Sequence, residues 1–294
     1  MSRQIIDLHM HSTFSDGTAT PEELAEAARE AGVVAMALTD HDTVAGVPRL
    51  VKAAGALGIA VIPGVELDSS YEYGAMHFLG YGIDPANGLL QEHLAWLAGG
   101  ARARMEDILG RLNGLGIRIT WRDLEPLLPQ GDAPGRTHVA EVLIRKGLVR
   151  NRQEAFSRFL GTGKPAFVPK RLFDPVACIR LIQESGGVAV LAHPMSLKFS
   201  RKDLRRIVQE LAERGLEGIE VYYSEPMPDA EKTALGLARE FNLLATGGSD
   251  YHGSTTPGVT VGRGAGGLHV PVDLLTPLVA RIAGKSGAWL PKGF

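Results

Sequence analysis

Short apolar runs alternate with amphipathic stretches along most of the chain. Ile5–Leu8, Val33–Leu38 and Ala60–Val65 are runs of four to six residues rich in Val, Ile, Leu and Ala, and each predicts a strand. Between the first two, Thr20-Pro21-Glu22-Glu23 offers an N-cap hydroxyl, a proline at the first helical position and a capping-box glutamate, which predicts a helix to about Ala31. Val44–Leu57 reads as a second helix and Met76–Tyr81 as another strand. Further on, Asp174-Pro175 opens a helix, Gly187–Ala192 is a strand and Lys202–Arg214 a helix. Gly218–Tyr222, Asp229–Phe241 and Leu243–Ala245 repeat strand, helix, strand. This rhythm predicts an α/β fold on a parallel sheet, either closed into a barrel or doubly wound.

The rhythm lapses over residues 86–169, which read mostly as helices with breaks such as Leu128-Pro129-Gln130-Gly131. We expect a helical insertion there, carried on a barrel made of residues 1–85 and 170–294. Charge follows the same division. Gly99–Arg171 holds 14 Lys and Arg against 7 Asp and Glu, a balance of +7, whereas the remaining 17 basic and 26 acidic residues give −9. The overall charge of −2 therefore conceals an acidic body suited to cations and a basic segment suited to an anion.

With 45% hydrophobic and 22% charged residues, the composition is that of a globular protein with material for a large core. No apolar run approaches a membrane span, and the first residues pass into a strand without a leader-like pattern, so we expect a cytoplasmic enzyme. Cys178, the one cysteine, sits in an apolar stretch and reads as a small buried hydrophobe.

The chemistry gathers at strand ends. Ile5–Leu8 runs into Asp7-Leu8-His9-Met10-His11, where alternation would put Asp7, His9 and His11 on one face. Val33–Leu38 leads into Thr39-Asp40-His41-Asp42, and Ala60–Val65 leads into Glu66. His77 enters the Met76–Tyr81 strand, Ala192 leads into His193-Pro194, and Ala245 leads into Gly248-Ser249-Asp250-Tyr251-His252. Asp16 lies in the loop after the first strand. Six of the nine histidines thus fall at or beside strand ends, where barrel active sites are built. His9, His11, Asp16, His41, Glu66, His77, His193, Asp250 and His252 exceed what one ion can use and suit two or three divalent cations. The mixture of imidazole and carboxylate suits Mn, Fe and Zn. Clustered cations activate a bridging water as hydroxide and neutralise phosphoryl oxygens, so a metal-dependent phosphoesterase is expected.

The series Asp7-Leu8-His9-Met10-His11-Ser12, Ser15-Asp16-Gly17, Thr39 to Asp42, Gly64-Val65-Glu66, His193-Pro194 and Gly248 to His252 resembles the polymerase and histidinol phosphatase (PHP) superfamily, in order and over nearly the whole chain. The resemblance implies a distorted seven-stranded (β/α) barrel with a di- or trinuclear site, with manganese expected first and iron or zinc also suitable. It implies that His9 and His11 share one metal with Glu66 and Asp250. Glu66 would bridge to a second metal held by His77 and His193, and Asp16, His41 and His252 would hold a third. Asp7 is expected to orient a histidine rather than to ligate.

The insertion resembles that of short stand-alone family members that act on 3',5'-bisphosphonucleosides and on RNA 5' ends. Arg102 to Arg104, Gly135-Arg136-Thr137-His138 and Gly163-Lys164-Pro165 carry this similarity. Arg136 and Thr137 at a helix start can offer a guanidinium fork, a hydroxyl and backbone amides to a phosphate. Arg104 and Arg102 could add charge from a facing helix, and His138 suits either pocket contact or helix packing. The expected substrate is a bisphosphorylated nucleotide such as pAp, a 5'-phosphorylated short RNA, or both, with no obligate protein partner. Histidinol phosphate is cationic at its amine and would favour an acidic second site. A C–N amidohydrolase, the rival reaction class, would want a lysine at a strand end, and none is present among those above.

Overall fold

The computed structural model describes residues 4–71, 74–128, 135–224 and 229–290. In chain order the elements are β1 (Ile5–Asp7), α1 (Pro21–Ala31), β2 (Val33–Leu38), α2 (Val47–Ala56), β3 (Ala60–Tyr71) and β4 (Gly74–Tyr81). Next come α3 (Gly88–Gly114), α4 (Trp121–Leu124), α5 (Arg136–Arg145) and α6 (Arg152–Ala155). The series ends with α7 (Pro175–Glu184), β5 (Val188–Leu191), α8 (Arg201–Glu213), β6 (Gly218–Tyr222), α9 (Ala230–Glu240), β7 (Leu244–Gly247) and α10 (Leu275–Ala283). The chain divides into two compact units, one formed by residues up to 92 and from 172 onward, the other by residues 93–171. Among the described residues no helix is long and apolar enough to cross a membrane.

The first unit is an α/β barrel whose seven strands lie in the order in which they occur along the chain. Local sequence explains where its helices begin. Thr20 caps α1, its side chain accepting the Glu23 N–H while Glu23 reaches back to the Thr20 N–H, and Gly32 ends the helix at φ 77°. An N-cap of this kind is worth about 1 kcal/mol. α8 buries Leu204, Ile207, Val208 and Leu211, a single apolar stripe.

Alternation along β2 sorts two cores. Met36 and Leu38 pack with Leu24, Ala28 and Leu50 of α1 and α2. Ala35 and Ala37 join Ile6, Ile62, Leu79 and Val190 in a second, separate cluster that Leu278 and Ile282 of α10 also enter. Strands buried on both faces explain the continuous apolar runs of the sequence.

The sheet is not wholly parallel as expected. β1–β2–β3 and β5–β6–β7 are parallel, but β4 runs antiparallel to both β3 and β5. β3 continues past Val65 to Tyr71, and Tyr71 pairs with Gly74, so only two residues join the strands. A parallel crossover needs a dozen or more residues, and a connection this short permits only a hairpin.

The ring is drawn together between the segments that follow β1 and β7. Leu8 N–H donates to Gly247 O (3.2 Å), Asp250 N–H to His9 O (2.8 Å) and His11 N–H to Tyr251 O (2.9 Å). Gly248 permits this approach, because a Cβ there would lie 2.3 Å from His9 N.

The second unit is helical, with its own core of Ile108, Leu112, Leu124, Val139, Leu143 and Leu160 among others. Of the expected break at Leu128-Pro129-Gln130-Gly131, Leu128 ends a short 3-10 turn and the other three lie outside the described residues.

Candidate metal centre

Glu66 is the hub of the site. It sits on β3 at 1% exposure, and five imidazoles surround its carboxylate. Its Oε2 lies 3.2 Å from His9 Nε2, 3.1 Å from His11 Nε2 and 3.4 Å from His41 Nδ1. Its Oε1 lies 2.9 Å from His77 Nδ1 and 3.1 Å from His193 Nε2. Asp250 Oδ1 approaches His9 Nε2 at 3.3 Å and His11 Nε2 at 3.1 Å. Asp16 faces His252 Nε2 at 3.3 Å, His11 Nδ1 at 3.7 Å and His41 Nε2 at 4.0 Å. All nine residues expected as ligands therefore come together.

Three overlapping groups have ligand atoms within 4.8 Å of one another: His9, His11, Glu66 and Asp250; His11, Asp16, His41 and His252; and His41, Glu66 and His77. Neither ring nitrogen of His11, nor Nδ1 of His41, completes a hydrogen bond, although carboxylate oxygens stand close by. Separations near 3.0–3.4 Å match the edges of a coordination shell with bonds of about 2.1 Å. The donor set thus fits divalent cations.

The electrostatics agree. Burial opposes charge at Glu66, yet His41, His9, His77 and His11 hold it well below the usual carboxylate range. His9 and His11 do the same for Asp250. In return, the facing carboxylates of Asp250 and Glu66 overcome the burial that would lower His11 and raise it to about 9. The carboxylates likewise raise His9, His41 and His77, so these four imidazoles favour the proton, and a cation would supply that positive charge instead.

Backbone and neighbouring groups aim the ligands. His252 Nδ1 donates to Asp250 O (2.9 Å), which leaves Nε2 for Asp16. His193 Nδ1 contacts Ser196 Oγ at 3.0 Å, which leaves Nε2 for Glu66. His193 at φ 26° and Asp250 at φ 52° occupy the sparsely used left-handed side, where strain collects at functional sites.

Four residues of the site went unread in the sequence. Asp68, two positions after Glu66 and on the same strand face, brings Oδ1 to 2.9 Å from His41 Nδ1 and 3.4 Å from His77 Nε2. Strand alternation from Glu66 would have found it. Buried Asp40 accepts from Ser12 N–H, Ser12 Oγ and Ser15 Oγ, each at 2.7 Å, and so fixes the loop that carries Asp16. Tyr223 Oη donates to Asp250 Oδ2 at 3.1 Å. Glu220, in the middle of β6, meets His9 Nδ1 at 2.9 Å. An acid inside the apolar run Gly218–Tyr222 was its signal.

The expected role of Asp7 needs correction. β1 ends at Asp7, so strand alternation does not carry it round with His9 and His11. Its carboxylate instead accepts backbone N–H groups of Ser249 (2.9 Å), Gly262 (2.6 Å) and His9 (3.4 Å). It fastens segments together, and Glu220 rather than Asp7 touches the His9 ring.

In the helical unit, Arg136 begins α5 with its guanidinium 5.4 Å from the centre of the Phe156 ring and 5.3 Å from that of Phe167, while Nη1 donates to Leu160 O at 2.9 Å. Burial lowers its pKa, and among the described residues no carboxylate pairs with it. Thr137 follows it at the second helical position. His138 Nδ1 accepts the Gly135 N–H at 3.0 Å, a helix-capping contact. Arg104 Nε donates to Val168 O (2.8 Å). Arg102 is 60% exposed, stacked 4.7 Å over Trp121 and 3.9 Å from Glu106.

Known proteins resemble this chain in sequence and fold. The PHP domain matches residues 7–126. The chain is 35% identical over 261 residues to the 5'-3' exoribonuclease Rnm of Escherichia coli, covering 88% of each chain. The chain belongs to the PHP family. This PHP protein is 33% identical over 259 residues to a 3',5'-nucleoside bisphosphate phosphatase of Chromobacterium violaceum, covering 88% of this chain and 90% of the relative. It is also 33% identical over 261 residues to the phosphoribosyl 1,2-cyclic phosphate 1,2-diphosphodiesterase of Eggerthella lenta, covering 85% and 94%. Among solved structures, a protein of Bifidobacterium adolescentis described as a metal-dependent phosphoesterase superposes with a TM-score of 0.81 at 28% identity, covering 96% and 97%. A Chromobacterium violaceum protein described as an amidohydrolase with bound sulfate gives 0.81 at 30% identity, covering 94% and 96%. The PHP protein is a metal-dependent phosphoesterase, a hydrolase with a His, Asp and Glu cluster able to bind metal.

Proposed function

We propose that this PHP enzyme hydrolyses a phosphate ester of a nucleotide, either a 3',5'-bisphosphonucleoside such as pAp or the 5'-phosphorylated end of a short RNA. His9, His11, Asp16, His41, Glu66, His77, His193, Asp250 and His252 hold two or three divalent cations, with manganese the leading candidate and iron or zinc compatible with the same donors. Cations so held supply Lewis-acid polarisation of the phosphoryl group and an activated water, which makes a side-chain nucleophile unnecessary. The residues of the chain do the positioning. Glu66 presents one oxygen to His9, His11 and His41 and the other to His77 and His193, so it spans two cation positions. Asp68 adds an oxygen beside His41 and His77.

The observation that carries the substrate reading is Arg136. A partly buried guanidinium that lies over two phenyl rings, with burial unanswered by any carboxylate among the described residues, is suited to an incoming anion. With Thr137 beside it at the start of α5, it binds a phosphate other than the one being cleaved. Arg104 and Arg102 contribute positive charge, and His138 holds the helix start. The names of the Escherichia coli, Chromobacterium violaceum and Eggerthella lenta relatives all denote phosphate esters of ribose-containing compounds, which supports the reading.

The test is phosphate release from pAp and mononucleotide release from a 5'-phosphorylated RNA oligomer with Mn²⁺, beside an aryl phosphate, histidinol phosphate, and a panel of amides and lactones. Release from the nucleotides is expected to exceed release from histidinol phosphate. Robust cleavage of an amide or lactone with none of the phosphate esters would overturn the proposal.

A further inference from the structure

We infer that Glu220 is a positioning residue that sets one ligand in each of two neighbouring cation positions; this rests on the metal-centre reading above. Glu220 lies in β6 among Ile219, Val221 and other apolar neighbours, at 1% exposure. The β6–β7 register shifts between Glu220 and Tyr222, a bulge of the kind that re-aims a side chain next to an active site. Its two oxygens do different work. Oε1 accepts from His9 Nδ1–H at 2.9 Å, which fixes the tautomer and turns Nε2 toward Glu66 Oε2 (3.2 Å) and Asp250 Oδ1 (3.3 Å). Oε2 accepts the backbone N–H of His193 at 2.7 Å.

That second contact falls on a strained residue. His193 holds φ 26°, ψ 59° and precedes a proline, which restricts its backbone further. Anchoring its N–H fixes the direction from which its ring reaches Glu66 Oε1 at 3.1 Å. His9 and His193 meet opposite oxygens of Glu66, so one buried carboxylate governs both sides of the hub. Among the described residues no lysine or arginine pairs with Glu220, and the nearest positive partner is His9 itself. A buried anion of this kind costs stability relative to an apolar residue of similar size. Its presence is explained by ligand orientation, which tunes metal affinity about 10- to 100-fold where it has been tested.

Chemistry makes the two contacts separable. Both neighbours donate, so a carboxylate satisfies both, whereas the amide of Gln presents one oxygen and one NH₂ and can satisfy only one. The experiment uses the metal-depleted full chain, titrated with Mn²⁺ by calorimetry, with metal per chain counted after dialysis at fixed free Mn²⁺. Glu220→Gln is expected to weaken one cation position by about 10- to 100-fold, and Glu220→Ala to weaken two. The ion lost in Asp16→Ala, held with His41 and His252, is expected to stay at wild-type affinity in both variants. Raising Mn²⁺ is expected to restore turnover of an aryl phosphate by Glu220→Gln without a change in KM. Wild-type stoichiometry and affinity in both Glu220 variants would overturn the inference alone. A Gln variant that loses its fold rather than its metals would also overturn it, by assigning Glu220 to structure only. A wild-type chain that binds no Mn²⁺ would overturn the metal-centre reading and this inference with it.

Discussion

Replacing Arg136 with Ala separates packing, which the structure shows, from the phosphate binding proposed for the same side chain. The guanidinium lies 5.4 and 5.3 Å from the centres of two phenyl rings and donates to Leu160 O at 2.9 Å. Two partly exposed cation–π contacts contribute about 0.5–1 kcal/mol each, and one hydrogen bond from a charged donor about 1.5 kcal/mol at the low end. The expected loss of stability is about 2.5–3.5 kcal/mol, read as a fall in the unfolding midpoint. Loss of a charge-assisted contact to phosphate removes a further ~1.5–3 kcal/mol of transition-state binding, about 10- to 150-fold in kcat/KM. That second effect is confined to substrates with a phosphate beyond the scissile one. The assay compares kcat/KM for pAp and for an aryl phosphate at saturating Mn²⁺, well below the midpoint of the variant. Arg136→Lys keeps the charge but loses the planar fork, so it is expected to recover part of the pAp activity and little of the stability. An equal fall on pAp and on the aryl phosphate would refute the reasoning and leave Arg136 a packing residue.

Other perturbations address the metal centre. Glu66→Ala and Asp250→Ala are each expected to abolish turnover together with loss of bound metal, and full activity at undiminished metal content would contradict the ligand set. Gly248→Ala would place a Cβ 2.3 Å from His9 N and 2.4 Å from His9 Cβ, and is expected to cost about 1–3 kcal/mol and to lower metal content. An unchanged midpoint with a full complement of metal would show that this approach is not tight. In the metal-depleted chain His11 is raised to about 9, so the stabilisation it confers is complete below its ordinary value near 6.5 and is lost as pH rises through about 9. The unfolding midpoint of that form should fall across this window, and a rise would show that other groups dominate.

Much of this was legible because strand ends carry their own punctuation. β2 and β6 occupy the residues that their apolar runs predict, and α1 starts where Thr20, Pro21 and Glu23 place it. Histidines and carboxylates stood out against those runs. What escaped was long-range or directional. Nothing in Ala60–Tyr81 taken residue by residue distinguishes a parallel neighbour from a hairpin, and only the two-residue spacing between Tyr71 and Gly74 forces the reversal. Asp7 reads as part of a histidine motif, but its partners Ser249 and Gly262 arrive from the far end of the chain. Asp68 was masked by the longer extent of β3, and Glu220 by its solitary place in an apolar strand.

The joining of the segments after β1 and β7 has a consequence for the order of assembly. Glu66 and His77 are only 11 residues apart and come together as soon as a local hairpin forms. Asp7 and Ser249 are separated by 242 residues, and their pairing requires closure of nearly the entire chain. Contacts of such high order form late, after the entropy of a long loop has been overcome. His9, His11 and Asp250 therefore present a shared cation position only once the ring has shut. An ion bound there favours the closed ring over every open form, by mass action. It would work as a clasp on the last-formed junction, so metal supply is expected to shift the balance between closed and open barrel as well as the rate of turnover.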